Sequence, residues 1–178
     1  MILSFKQKYE NGDPTYFIEK IWRALLDSAA YDSFIFSLLE IQYRNYKWGY
    51  QHRFNKLWSG TMSCHKPKLH SIRVDKNGRW KPGMEIHFYV GSRTKNAFQF
   101  APEVECKSVQ KIEIKYTYPQ SKIGTFECIH VLVDDRVLSY DEIEILAKND
   151  GFDSFGHFCK WFNVDFKGKI IHWTDLRY

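Results

Sequence analysis

The spacing of apolar residues changes near residue 68, and this change constrains the fold more than any other feature of the sequence. Ahead of it, apolar side chains recur every three or four positions, as on one face of an α-helix. Two such stripes occur, and each predicts a helix that buries its members: Phe17, Ile18, Ile21, Trp22 and Leu25, and then Phe34, Ile35, Leu38, Leu39 and Tyr43. Beyond residue 68 the pattern is typical of short β-strands, so the sequence predicts an α+β domain.

Turn and capping signals divide the strand-rich part into short elements. The predicted strands cover residues 69–74, 84–90, 104–108, 109–116, 125–133 and 169–173, and a further strand covers residues 2–5. Ser139 and Glu142 have the spacing of a helix capping box, and Ser154 can begin a second short helix. Short, mostly antiparallel strands with helices between them predict a small mixed β-barrel of about six strands. We expect residues 1–178 to form one domain, because 178 residues is an ordinary domain size.

Composition argues against a membrane protein and gives no indication of a cofactor. No apolar run reaches the roughly 18 residues that a membrane-spanning helix needs, and the apolar stretch at the start is too short for a signal peptide. We therefore expect a cytoplasmic protein that contacts no membrane. The four cysteines lie far apart: Cys64, Cys106, Cys128 and Cys159. Zinc ligands usually come in closely spaced pairs, so we expect reduced thiols, no metal site and no cofactor.

Residues 41–74 contain no Asp or Glu, although the whole chain carries 21 acids against 26 Lys and Arg. Within this stretch, residues 43–58 alternate aromatic rings with basic side chains, among them Trp48, Arg53 and Lys56. This combination is typical of single-stranded nucleic-acid binding, because cations neutralise phosphates and exposed rings stack on bases. Alternatively, the rings pack against the domain while the basic groups extend into solvent. The absence of acids favours an anionic partner, and we expect RNA or a nucleotide-type ligand.

A second polar pattern lies in the segment Lys68-Leu69-His70-Ser71-Ile72-Arg73. Residues two apart on a strand share a face, so Ser71 and Arg73 point the same way, and Lys68 at the start of the strand can fold back toward them. A hydroxyl, a guanidinium and an ammonium would then form the polar floor of a cleft. The alternative is an exposed edge strand with a solvated face.

The chain resembles the ASCH domain family of the PUA-like superfamily in three places. These are this segment, Trp80-Lys81-Pro82-Gly83 and the later Asn149-Asp150-Gly151-Phe152. The resemblance covers residues 2–22 and 66–178, which leaves a helical, basic and aromatic insertion at about residues 23–63. It implies a PUA-like barrel with flanking helices and a cleft beside the Lys-x-x-Ser-x-Arg strand. The superfamily is associated with RNA binding and with recognition of modified bases.

The resemblance also implies an enzymatic alternative. One small bacterial member of the family is an amidohydrolase that removes the acetyl group from N4-acetylcytidine. By position in the motif, Lys68 would be the base, Ser71 the nucleophile and Asp150 the acidic partner, although Ser replaces Thr and Asp replaces Glu. The chemistry is reasonable, because a base beside a hydroxyl activates a weak nucleophile, and Arg73 could bind an oxyanion or a phosphate.

Three functions therefore remain open. The leading expectation is a domain that binds RNA or a nucleotide-type ligand in the cleft that Lys68, Ser71 and Asp150 line. The ligand-binding candidates are the other polar residues near the motif and in the insertion: Arg73, Lys66, His70, Arg53, Lys56 and Trp48. The alternatives are an amidohydrolase acting on N4-acylated cytosine nucleosides, and a protein-interaction module that docks through the insertion.

Overall fold

The computed structural model describes residues 1–58, 61–117 and 128–178, and these residues form four α-helices and nine strands. The helices are α1 (Phe17–Ser28), α2 (Ser33–Phe54), α3 (Tyr140–Asn149) and α4 (Phe155–Trp161). The strands are β1 (Ile2–Phe5), β2 (His70–Arg73), β3 (Glu85–Val90), β4 (Phe98–Gln99), β5 (Val104–Glu105), β6 (Ser108–Thr117), β7 (Cys128–Val133), β8 (Arg136–Val137) and β9 (Phe166–His172). The predicted α+β class is confirmed. None of the described helices is both long enough and apolar enough to cross a membrane.

The strands are arranged in two sheets. In the first, β1 runs parallel to β3, and β3 also pairs with β4 and β5 in the antiparallel sense. In the second, the strand order is β2-β9-β6-β7-β8, and every pair is antiparallel. The described residues do not join these sheets into one closed barrel, so the predicted six-stranded barrel is not confirmed. Closure depends on pairing between strands that are distant in sequence, and apolar alternation does not specify that pairing.

Helix α1 is buried along most of its length, and the apolar stripe predicted for it is correct. The members of that stripe are no more than 7% exposed: Phe17, Ile18, Ile21, Trp22 and Leu25. The indole N–H of Trp22 donates a hydrogen bond to the carbonyl oxygen of Phe100 at 2.8 Å. A helix that is apolar on one broad face is stabilised mainly by such packing rather than by its own propensity.

Helix α2 differs from its prediction. Its first apolar residues, Phe34, Ile35 and Leu38, were predicted to be buried but are 76%, 46% and 45% exposed. The helix contacts α1 further along, where the rings of Tyr43 and Trp22 meet edge to face with 5.3 Å between their centroids. Apolar spacing identifies a helix face, but it does not say whether another element covers that face. The predicted insertion at 23–63 therefore includes the end of α1 and a helix whose first half lies on the surface.

The end of α3 lies beside an unpaired edge of the second sheet. The predicted capping box starts this helix, because the Ser139 hydroxyl accepts from the Glu142 N–H at 3.3 Å and the Glu142 carboxylate accepts from the Ser139 N–H at 2.8 Å. The helix ends at Asn149 with Asp150 as its C-cap, and Gly151 follows with φ +88, a left-handed conformation that favours glycine. Among the described strands, β2 pairs with β9 alone, so its other edge is free to meet this helix end.

Candidate functional site

Lys68, just before β2, contacts the end of α3 through a buried ion pair. Lys68 Nζ lies 2.7 Å from Asp150 Oδ1, and the same amine donates to the backbone carbonyl of Asp150. The two side chains are 2% and 4% exposed. The resemblance placed these two residues in one site although 82 positions separate them, and the structure brings them into contact. Their catalytic roles stay predictions.

Asp150 also pairs with the free edge of β2. Its Oδ1 accepts a hydrogen bond from the backbone N–H of Ile72 at 3.1 Å, and His70 Nδ1 lies 3.5 Å from the same oxygen. One residue earlier, the carbonyl oxygen of Asn149 accepts from the N–H of Leu69 at 2.8 Å. Buried backbone N–H groups need partners, so these contacts attach the end of α3 to β2. The carboxylate therefore has a structural role whatever else it does.

Burial controls the protonation of the pair. Burial lowers the pKa of Lys68 to about 8, although the neighbouring Asp150 carboxylate favours the charged amine. Burial alone would raise the pKa of Asp150, but the charge of Lys68 and the contacts with Lys68 and His70 together outweigh burial and hold that pKa below its ordinary value. At neutral pH the pair is therefore an ammonium and a carboxylate. A general base needs the neutral amine, which becomes the main form only above about pH 8.

Ser71 and Arg73 share a face of β2, but this face is not the open floor of a cleft. Ser71 is fully buried, and its hydroxyl has no hydrogen-bond partner among the described residues. The guanidinium of Arg73 donates to the carbonyl oxygen of Ser4 at 2.9 Å and lies 4.9 Å from the centre of the Phe5 ring. Arg73 therefore connects β2 to β1, at the edge of the molecule where Ser4 is exposed.

The other two candidates beside the motif have different environments. His70 is buried, its Nε2 lies 2.7 Å from the hydroxyl oxygen of Tyr178, and burial lowers the pKa of His70. Lys66 lines a pocket of about 220 Å³ whose other members are Lys20, Cys64, His65, Lys148, Gly151, Phe152 and Asp153. Two of the lysines there are already paired, since Lys20 lies 2.7 Å from Asp153 and Lys148 lies 2.5 Å from Glu144.

The candidates in and after α2 are all exposed. Trp48 is 68% exposed, and its ring stacks on His52 with centroids 5.2 Å apart and planes 24° apart. Arg53 extends to the loop after β3, where it donates to the carbonyl oxygen of Lys95 at 3.1 Å. Lys56 follows the helix and is exposed. Because five residues turn an α-helix by about 140° beyond a full turn, Trp48 and Arg53 point in different directions.

An open groove of about 460 Å³ lies between the segment around the end of β1 and the start of the loop after β3, and we call it the basic groove. Its lining contains no carboxylate and consists of Ser4, Phe5, Lys6, Gln7, Lys8, Gly91 and Ser92. Arg73 contacts the first two of these residues, and Arg53 contacts the loop that the last two begin. Sequence reasoning missed Lys6 and Lys8. The available signal was a pair of lysines two positions apart directly after a predicted strand.

One group of side chains in the described part of the chain has metal-ligand chemistry, and the sequence analysis did not predict it. Glu85 and His87 on β3 and Glu103 before β5 place their ligand atoms within 4.8 Å of one another. His87 Nδ1 already lies 2.9 Å from the Glu103 carboxylate. Both carboxylates are exposed, and exposed acidic groups of this kind are common without an ion. We therefore assign no metal to this cluster.

Comparison of the chain with protein-family models, with curated proteins and with solved structures gives no match. The contacts of Arg73 and Arg53 around the basic groove are the geometric basis for a functional proposal. The buried pair of Lys68 and Asp150 is the geometric basis for the alternative.

Proposed function

We propose that the protein binds single-stranded RNA or a nucleotide-type ligand along the basic groove. One observation carries this proposal: two cations line an open groove whose lining has no carboxylate, and two more contact the segments that form it. These cations are Lys6 and Lys8 after β1, Arg73 on β2 and Arg53 on α2. A phosphate backbone in such a groove releases counterions when it binds, so the affinity decreases steeply as salt increases.

The exposed ring of Trp48 supports a partner that has bases as well as phosphates. A base stacked on an exposed aromatic ring contributes roughly 1–3 kcal/mol without regard to sequence. Trp48 is 68% exposed, and its ring stacks on the exposed ring of His52. Since Trp48 and Arg53 point in different directions, a strand that contacts both must pass around α2.

The ASCH-type assignment is part of this proposal. The resemblance groups Lys68 with Asp150, and the contact between them supports that grouping. In the proposal these buried residues hold β2 and α3 together, while Arg73 at the strand end contacts the ligand. The motif then positions the groove, and the cations that surround it bind the phosphates.

The test is a titration of a short, labelled single-stranded RNA at low and at physiological salt, followed by fluorescence anisotropy. Arg53→Glu/Lys56→Glu is expected to lower the affinity at low salt by roughly tenfold or more and to make the salt dependence shallower. The control, Lys111→Glu/Lys115→Glu, makes the same charge change on exposed positions of β6. It should leave the affinity nearly unchanged.

Two outcomes would overturn the proposal. One is an absence of RNA binding by the unaltered protein at low ionic strength. The other is an equal loss of affinity in both double variants, which would show that total charge matters and the groove does not.

A second candidate function is deacylation of N4-acylated cytosine nucleosides. It is favoured by the lowered pKa of Lys68 and by the Ser71 hydroxyl, which has no partner among the described residues. Both side chains are buried, so a substrate could reach them only if β2 separates from the end of α3. Incubation with N4-acetylcytidine and chromatography for cytidine tests it, with Ser71→Ala alongside. Turnover that disappears in a folded Ser71→Ala supports the activity, and no turnover by the unaltered protein excludes this substrate.

A further inference from the structure

A second cavity, of about 480 Å³, lies between the segment after β1 and the end of α4, and we call it the aromatic pocket. This volume is within the usual range for small-molecule sites, roughly 300–1,000 Å³. Its lining combines rings, amides, cations and one carboxylate: Lys6, Tyr9, Glu10, Asn11, His157, Lys160, Trp161 and Asn163. We propose that the aromatic pocket binds a single ribonucleotide, with its base against Trp161 and its phosphate between Lys6 and Lys160. The inference deepens the proposed function and rests on it through Lys6, which lines both the pocket and the basic groove.

Three aromatic rings pack against Trp161 in edge-to-face geometry. Tyr9, Phe17 and Phe152 approach it with interplanar angles of 87°, 77° and 64°, and the ring centroids are 5.9, 6.1 and 5.7 Å apart. Edge-to-face contacts of this kind hold a ring in place. Lys6 Nζ lies over the ring, 5.2 Å from the centroid. Because Lys6 is an exposed and flexible side chain, a flat nucleobase can take its place on the ring.

Two lysines of the pocket have no counter-ion in the part of the chain that the structure describes. Neither Lys6 nor Lys160 lies within ion-pair distance of a described carboxylate, although Glu10 also lines the pocket. Two unpaired ammonium groups in one cavity attract a doubly charged phosphate strongly, and hydrogen bonds between such ions are the stronger kind. When a base displaces Lys6 from the ring of Trp161, its amine becomes free to contact that phosphate.

The remaining polar groups suit the sugar and the base edge. Glu10 and Asn163 are exposed, and neither side chain forms a hydrogen bond with a described residue. A carboxylate near a nucleotide site accepts hydrogen bonds from ribose hydroxyls, and an amide can both donate to and accept from a base. Asn11 is not available for this role, because its amide already donates to Asp13 at 2.6 Å.

A nucleotide is the ligand class that uses all of these groups together. An uncharged aromatic compound would leave both lysines without a partner, and an inorganic phosphate would leave the face of Trp161 unused. A deoxyribonucleotide would offer Glu10 one hydroxyl fewer. The pocket therefore fits a ribonucleoside monophosphate, or a terminal nucleotide of an RNA that occupies the basic groove.

Isothermal titration calorimetry on the full chain tests the pocket. The probes are the four ribonucleoside 5′-monophosphates, the matching nucleosides and inorganic phosphate. At least one monophosphate is expected to bind roughly tenfold or more tightly than its nucleoside and than inorganic phosphate, because only it joins the ring contact to the charge contact. Lys160→Glu, at an exposed position, should remove this advantage, whereas Lys111→Glu on β6 should not.

The sugar contact has its own test. With Glu10→Gln, the protein should lose its preference for a ribonucleotide over the matching deoxyribonucleotide while it keeps most of its affinity. If the unaltered protein shows no such preference, the assignment of Glu10 to the ribose is wrong.

Other outcomes would overturn the pocket as a nucleotide site. These are equal affinity for inorganic phosphate and for the monophosphates, no binding of any monophosphate, or equal effects of Lys160→Glu and Lys111→Glu. RNA binding that responds to Arg53→Glu/Lys56→Glu while mononucleotides fail to bind would reject the pocket and keep the groove. If mononucleotides bind and require Lys160 while RNA does not bind, the groove is rejected and the pocket is kept.

Discussion

Lysine has opposite uses in the interior and on the surface of this protein. Lys20 and Lys68 are both buried, and the amine of each lies 2.7 Å from a carboxylate, that of Asp153 and that of Asp150 respectively. Lys6 is exposed, lies over an aromatic ring and has no carboxylate partner among the described residues. A buried ammonium must be neutralised by the fold itself, whereas an exposed one is available to a ligand.

This difference separates the two parts of the candidate site. The motif residues give the molecule a rigid junction between β2 and α3, and the exposed cations give it a surface for an anion. The predictions below alter the junction, a buried histidine on β9 or the surface, and the interior changes are expected to have the larger effects on stability.

Asp150→Asn is expected to have the largest effect. It leaves the Lys68 charge buried without its partner, which typically costs about 3–5 kcal/mol of unfolding free energy. Asp153→Asn is the matched control, because Asp153 is 52% exposed and solvent can replace it beside Lys20. Its cost should be on the order of 1 kcal/mol or less. Urea denaturation measures both, and equal losses would contradict a special role for the buried pair.

Acid should destabilise the protein through a buried histidine of the second sheet. His172 is fully buried opposite His70, its ring nitrogens have no partner among the described residues, and burial lowers its pKa to about 3. Below about pH 6.5 this histidine is protonated in the unfolded chain but stays neutral in the folded chain. The free energy of unfolding therefore decreases as the pH falls from 6.5 toward 3.

We expect this group to remove roughly 2–3 kcal/mol of unfolding free energy between pH 6.5 and pH 4. Urea denaturation across this range measures the loss, and His172→Phe should make the pH dependence shallower. A slope unchanged by the substitution would show that other groups, with His70 the first to examine, control the acid response.

Gly151→Ala should weaken the junction by a smaller amount. Its φ of +88 disfavours any side chain, and a Cβ there would lie 3.1 Å from Lys68 Cδ. A non-glycine residue in the left-handed region costs roughly 1–2 kcal/mol. Gly156→Ala in α4 is the control, since its Cβ would meet nothing closer than 3.8 Å, and it should stabilise by up to about 1 kcal/mol. Thermal denaturation of both variants should shift the midpoint in opposite directions.

Arg53→Glu/Lys56→Glu should have the smallest effect on stability. Both side chains are exposed, and substitutions at such positions usually change the unfolding free energy by no more than about 0.5 kcal/mol. The same variant is expected to have the largest effect on RNA affinity. A large loss of stability in urea would mean that the hydrogen bond from Arg53 to Lys95 belongs to the fold rather than to the binding surface.

Local features of the fold could be predicted from the sequence, because they depend on neighbouring residues. The stripe that begins at Phe17 and the capping box at Ser139 and Glu142 are both as expected. The residues 125–127 of one predicted strand lie outside the described residues, and the rest of it is β7.

Long-range features could not be predicted in the same way. The exposure of Phe34 depends on what packs against α2, and the arrangement of two sheets depends on which strands pair. The contact between Lys68 and Asp150 was available through the resemblance, but the burial of Ser71 beside it was not. The aromatic pocket was missed because Tyr9 and Trp161 are 152 positions apart and no local pattern links them.

The place of β9 in the second sheet sets an order on how the chain assembles. It is the last of the described strands in sequence, yet it lies between β2 and β6. In the first sheet, β1 must likewise wait for its parallel partner, since Ile2 pairs with His87. On a ribosome, neither sheet can be completed as the strands emerge, and such distant pairings make folding slow. We therefore expect strands that emerge early, such as β2 and β6, to keep unpaired edges until β9 emerges, and such edges favour aggregation of the unfinished chain.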